Sequence, residues 1–180
     1  MNVACYLSAS RVADEYHKAA YELGLALGQE GHALVFGGYV DGMMGSIANG
    51  FADAEAKLIG VVPGIFGHDR RKDRLLSEIH YVETLAKRKE TMMAIADVFI
   101  ALPGGVGTLD ELFEVITLKS IDRLNAPVII YNVNGFYDPL LTQLQSMQKQ
   151  GFIRGHLDNQ ICVANSKEEI IQLLNMSSEE

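Results

Sequence analysis

Two hydrophobic periods alternate along this chain. Short strand-like runs recur at Asn2–Leu7, His32–Phe36, Leu58–Val62, Ile79–Val82, Val98–Leu102, Pro127–Tyr131 and Gln160–Ala164. The unbroken apolar run Val98–Leu102 reads as a strand buried on both faces of a sheet, and Pro127–Tyr131 as another buried strand. Between them lie longer stretches with apolar residues three and four apart, the spacing of helices with one buried face. These predict helices over Val12–Gln29, from Gly42 to about Ala56, over Thr84–Ala96, from Leu109 onward, over Pro139–Lys149 and over Ser166–Asn175. The first should bury Ala13, Tyr16, Ala20, Leu23 and Leu27 and stop at Gly31; the fourth should bury Leu109, Leu112, Phe113 and Ile116. Ser166 and Glu169 form a capping-box pattern at the last helix. Strand and helix alternate without repeat or linker, which predicts one α/β domain over residues 1–180. It would be a Rossmann-like, doubly wound, mostly parallel sheet with helices on both faces. Ligands of such sheets bind at the carboxyl ends of the strands, where the glycine turns of this chain fall.

The richest of those turns is Leu102-Pro103-Gly104-Gly105-Val106-Gly107-Thr108-Leu109-Asp110-Glu111, between the fifth strand and its helix. Glycines let the backbone approach a ligand closely, and a helix start offers unpaired N–H groups to an anion. A phosphate is therefore expected at Gly104, Gly105, Val106, Gly107 and Thr108. Two carboxylates follow immediately, and a phosphate would repel them, so they need another reason to be there. Thr108-Leu109-Asp110-Glu111 matches a T-x-x-E capping box, a common device, with Glu111 folding back on the Thr108 amide. The other reading is a carboxylate held near the sugar of a bound nucleotide, where it stabilises positive charge or activates water.

Gly37-Gly38 and Gly42-Met43-Met44-Gly45 form a second glycine turn, which serves either a ligand or close helix–sheet packing. Ser8 and Ser10 follow the first strand and either line a nucleotide site or cap the next helix. In the third predicted helix Leu85 and Met92 mark a buried face, with Arg88 three residues after one and four before the other. An arginine there either snorkels to the surface or meets an anion, and Lys89 shares much of that face.

Composition narrows the class. With 180 residues and 48% hydrophobic content the chain can bury a core, and no apolar run reaches the length of a membrane span. No basic region precedes an apolar one at Met1-Asn2, so no secretory signal is expected. Cys5 and Cys162 read as inert buried thiols of a reducing cytoplasm. A net charge of −8 argues against nucleic acid as a partner. Arg70, Arg71, Lys72 and Arg74 make a local basic run, either a solvated loop or a lid that meets phosphate. His17, His32, His68, His80 and His156 lack metal-site spacing, so neither metal nor cofactor is expected. There is also no GxSxG elbow, GxxxxGK[ST] loop or GxGxxG fingerprint.

Pro103 to Glu111 resembles the PGGxGTxxE signature of the LOG ("Lonely Guy") family of cytokinin riboside 5'-monophosphate phosphoribohydrolases. Arg88-Lys89-Glu90-Thr91-Met92 and Gly37 to Gly45 are similar to two further family elements, with Tyr39 where the family has glycine and Met43 where it has leucine. The resemblance spans about residues 2–175. It implies hydrolysis of the N-glycosidic bond of a nucleoside 5'-monophosphate, with Arg88 and Glu111 catalytic. Gly104 to Thr108, Ser8, Gly37, Gly38, Lys89 and Met92 would bind substrate, in a homodimer whose sites lie near the subunit interface. Two other readings share these motifs: a non-catalytic nucleotide or molybdenum-cofactor carrier on the same fold, and a plain AMP nucleosidase.

Overall fold

The computed structural model describes residues 1–66 and 74–177. Seven strands, β1 (Asn2–Tyr6), β2 (Ala33–Phe36), β3 (Leu58–Pro63), β4 (Glu78–Val82), β5 (Val98–Ala101), β6 (Val128–Tyr131) and β7 (Cys162–Ala164), form one sheet. Its order is β4-β3-β2-β1-β5-β6-β7, and every pairing is parallel. The helices are α1 (Asp14–Gln29), α2 (Gly42–Asp53), α3 (Leu85–Ile95), α4 (Val106–Ser120), α5 (Asp138–Lys149) and α6 (Lys167–Ser177). All seven predicted strands and six predicted helices are present, with ends displaced by a few residues.

Strand periodicity divides the core into two layers. Val3, Cys5, Leu34, Phe36, Val98 and Ile100 point to one face and pack with Leu23, Leu27, Ile47, Phe51, Ile170 and Leu174 of α1, α2 and α6. Their neighbours Ala4, Tyr6, Val35, Phe99 and Ala101 point to the other, against Met92, Leu112, Val115 and Leu144 of α3, α4 and α5. The chain thus leaves β1 toward one face and β5 toward the other, although these strands are hydrogen-bonded neighbours. Between their carboxyl ends lies the crevice at which doubly wound sheets bind ligands.

Some predicted faces are rotated. In α1 the buried residues are Ala20, Leu23, Gly24, Leu27 and Gly28, while Ala13 lies before the helix and is exposed. Gly31 ends α1 with φ +78°, and the His32 amide donates to the Leu27 carbonyl at 3.1 Å. Leu85 is 47% exposed, because the first turn of α3 overhangs the carboxyl edge just beyond β4. Both cysteines are free; burial pushes the Cys5 thiol up, which suits an inert core residue. Of the basic run, Arg70, Arg71 and Lys72 lie outside the described residues, as does His68, and Arg74 is exposed. No helix among the described residues is long and apolar enough to cross a membrane.

Candidate active site

Pro103-Gly104-Gly105 carries the chain from β5 into α4. Gly105 is the N-cap residue, with φ −93° and ψ −156°, and no side chain caps the helix start. The Val106, Gly107 and Thr108 amides are its first three, and none has a hydrogen-bond partner among the described residues. Gly105, Val106 and Gly107 are exposed, Val106 by 85%. A Cβ at Gly105 or Gly107 would meet nothing within 4 Å, and neither residue has positive φ. The fold does not require glycine there; what the missing side chains leave is room over open amides. Gly104 differs, because a Cβ there would run into the buried Thr108 side chain. The turn is held from below by the Tyr137 hydroxyl, which donates to the Leu102 carbonyl at 2.7 Å. The Ser8 amide donates to the Pro103 carbonyl at 3.3 Å.

The capping-box reading of Thr108 to Glu111 is overturned by where the helix begins. With Gly105 as N-cap, Thr108 is the third helical residue and Glu111 stands in the second turn, on the inner face. The buried stripe of α4 is Thr108, Glu111, Leu112, Val115 and Ile116, and Phe113 is 37% exposed. Glu111 is only 4% exposed, and its carboxylate accepts a charge-assisted hydrogen bond from Arg88 Nη2. Burial pushes Glu111 above the ordinary carboxylate value, outweighing the opposing effect of Arg88. Tyr6 lies beside it in the core, and burial together with the charges of Glu111 and Glu114 pushes its hydroxyl up.

Arg88 does not snorkel. Its side chain is 15% exposed, its Nη2 is spent on Glu111, and its Nε is buried without a partner among the described residues. A Cβ on Gly37 would lie 3.4 Å from Arg88 Nη1, so the end of β2 and the third helix meet at this guanidinium. Lys89 is turned to α4, with Nζ 2.8 Å from Asp110 and 2.6 Å from Glu114; these two ion pairs hold it firmly charged. Met92 is 1% exposed and serves the core.

The second glycine turn closes on itself. The Met43 amide donates to the Ser10 carbonyl at 3.3 Å and the Met44 amide to the Ser8 carbonyl at 3.1 Å, so two amides at the start of α2 are already used. Neither serine caps α1, whose N-cap is Ala13. The Ser8 hydroxyl instead accepts from the Ser10 amide at 3.0 Å, and Ser8 sits half-buried between the two glycine turns. Gly38 is buried behind them. Tyr137, with no motif around it, is a support that sequence reading missed; only its place after the Asn134-Gly135 turn hinted at it. Among the described residues no three His, Cys, Asp or Glu side chains gather as a metal site.

The arrangement is an open, positively poled helix start beside a buried carboxylate–guanidinium pair. It can hold an anionic group on backbone amides and offer one fixed negative charge to a neighbouring cationic centre.

The chain is similar to known proteins. The family described as "possible lysine decarboxylase" matches residues 44–174. The chain is 38% identical over 156 residues to the cytokinin riboside 5'-monophosphate phosphoribohydrolase LOG of Oryza sativa subsp. japonica, covering 87% of this chain and 64% of that protein. It is 35% identical over 158 residues to the cytokinin riboside 5'-monophosphate phosphoribohydrolase of Rhodococcoides fascians, covering 87% of this chain and 80% of that one. Its fold is that of the molybdenum cofactor binding protein of Rippkaea orientalis, with TM-score 0.75, 25% identity and coverage of 97% and 95%. The molybdenum cofactor carrier protein of Chlamydomonas reinhardtii shares the fold at TM-score 0.76 and 19% identity, covering 99% and 98%. The chain belongs to the LOG-type family of possible lysine decarboxylases.

Proposed function

We propose that the protein hydrolyses the N-glycosidic bond of adenosine 5'-monophosphates, including N6-modified ones such as cytokinin riboside 5'-monophosphates, giving free base and ribose 5-phosphate. The observation that carries this is Glu111, a carboxylate buried against Arg88 directly inside the helix start that would hold the phosphate. The free amides of Val106, Gly107 and Thr108, with the room left by Gly105 and Gly107, receive the 5'-phosphate. As the C1'–N9 bond breaks, its electron pair goes to the base and C1' becomes oxocarbenium-like. Glu111 stabilises that charge and orients the water that attacks C1'. One water proton ends on the departing base. Arg88, with Nε and Nη1 still available, draws the phosphate and sugar into place while keeping Glu111 oriented. Ser8 and Gly37 line the sugar side, with Gly38 packed behind them, and Lys89 steadies α3 against α4. No metal or cofactor enters the reaction.

Curated relatives named as phosphoribohydrolases support this reading over a carrier role. A carrier has no use for a carboxylate driven into the interior beside its anion site. We further infer a homodimer, supported by Leu85, Val106 and Phe113, apolar side chains exposed around the site on α3 and α4. Light scattering on the purified protein tests it. A reducing cytoplasm suits the two free thiols.

Incubation with AMP, N6-isopentenyl-AMP and adenosine, followed by chromatography of the bases, tests the activity. Release from the monophosphates and not from adenosine is expected. Tight binding of AMP with no base released would instead favour a carrier.

A further inference from the structure

His17 and Ser46 stand apart from Arg88 and Glu111, yet they brace the loop that separates the two glycine turns. That loop leaves β1 at the carboxyl edge. Ser8 is held on both sides, by Pro103 through its amide and by Met44 through its carbonyl. Ser10 is held by Met43. Beyond Ser10 the chain runs exposed through Arg11, Val12 and Ala13. Across that stretch α1 reaches back with a side chain: the Val12 amide donates to His17 Nε2 at 3.3 Å.

Each proton along this contact has one place. The Val12 amide can only donate, so Nε2 is the bare nitrogen and Nδ1 carries the ring proton. Nδ1 lies 2.8 Å from Ser46 Oγ, which therefore accepts. The Ser46 hydroxyl then donates to the Gly42 carbonyl, at 3.3 Å, in the first residue of α2. A serine that receives an imidazole proton and gives its own to a carbonyl is not an activated nucleophile, since activation needs a base that accepts from it. The chain Val12–His17–Ser46–Gly42 is instead a strut joining the loop, α1 and the start of α2.

We propose that His17 is a positioning residue for the nucleotide. Through Val12 and Ser46 it fixes the Ser8–Val12 loop as the wall between Gly37-Gly38 and the Gly104–Thr108 turn, against which the sugar of a nucleoside 5'-monophosphate rests. The inference rests on the hydrolase reading above. The strut touches no reacting atom, so its loss weakens binding and leaves the bond-breaking step as it was.

The test compares AMP hydrolysis and thermal melting for wild type, His17→Ala, His17→Gln, His17→Asn and Ser46→Ala. A Gln oxygen reaches the place of Nε2 and can still accept from Val12. An Asn amide reaches only the place of Nδ1 and keeps the Ser46 side. His17→Ala and His17→Asn should raise KM for AMP about tenfold, with kcat within about twofold and melting little changed. His17→Gln should stay within about threefold of wild type in KM. Ser46→Ala, which keeps the Val12 contact, should raise KM about threefold and stands in if His17→Ala does not fold. An unchanged KM in His17→Ala overturns the proposal. So does a fall in kcat matched by a fall in melting temperature, with Gln no better than Ala. If wild type hydrolyses nothing, the hydrolase reading has failed, and the same variants are read by the Kd for AMP. An unchanged Kd in His17→Ala then overturns the positioning role by itself.

Discussion

The two glycine turns look alike in sequence and do opposite things. Both follow a buried strand, both place glycines around the start of a helix, and both stand at the carboxyl edge of the sheet. At α2 two of the early amides are taken by Ser8 and Ser10 carbonyls, and a Cβ at Gly42 would strike the Ala9 carbonyl. At α4 the amides are open and the space over Gly105 and Gly107 is empty. Glycine serves packing in the first case and leaves open space over free amides in the second. What separates them is whether a side chain there would meet the protein itself.

Substitutions can break that comparison. The largest effect on stability is expected from Gly42→Ala, whose residue combines φ +59° with a backbone collision. It should cost about 3 kcal/mol in denaturant unfolding, with the loss spread over the whole cooperative transition. Gly107→Val should do the reverse: melting within a few degrees of wild type and KM for AMP raised about tenfold, because its side chain enters the space kept for phosphate. A Gly107→Val protein that melts early but binds AMP normally would mean that glycine there serves the fold.

A subtler consequence concerns pH. In the proposed hydrolysis Glu111 acts as a carboxylate, and burial holds its ionisation above the ordinary value of 4.5. Activity should therefore fall as pH drops through that raised value, so the acid limb of kcat/KM lies above the ordinary carboxylate range. Stability runs the other way. The fold favours protonated Glu111, so its contribution is full below the unfolded value and is lost as pH rises through the folded one. The melting temperature of Glu111→Gln relative to wild type should accordingly climb between acid and neutral pH. A difference that stays flat would show that Glu111 is not perturbed. The smallest effect belongs to Asp110→Ala: Asp110 is 61% exposed and shares Lys89 with Glu114, so unfolding free energy should change by at most about 0.5 kcal/mol.

Much of this was readable from the sequence, for physical reasons. Strands such as Val98–Ala101 are buried on both faces and so appear as unbroken apolar runs. The Pro103–Thr108 turn was visible because glycine and proline mark it. Glu111 was ambiguous because a capping-box pattern does not say where its helix starts. At α6 the same pattern is a true cap: the Glu169 amide donates to Ser166 Oγ at 3.2 Å, and the Glu169 carboxylate accepts from the Asn165 amide at 2.7 Å. At α4 two extra helical residues ahead of Thr108 turn the glutamate inward to meet Arg88, 23 residues away in sequence. His17 and Ser46 are 29 residues apart, and Tyr137 reaches back 35 residues to Leu102. No local pattern announces contacts that only the packed layers bring together.

In the proposed reaction Glu111 does chemistry and does not cap its helix. The most direct test is base release from AMP and N6-isopentenyl-AMP by wild type and Glu111→Gln, with folding and AMP binding measured on both. Gln keeps the size of the side chain and removes the charge. We expect wild type to release base and the folded, AMP-binding Glu111→Gln protein to be slower on the order of a hundredfold or more. Release by Glu111→Gln at the wild-type rate, or AMP binding by wild type with no base released, would contradict a catalytic role for Glu111.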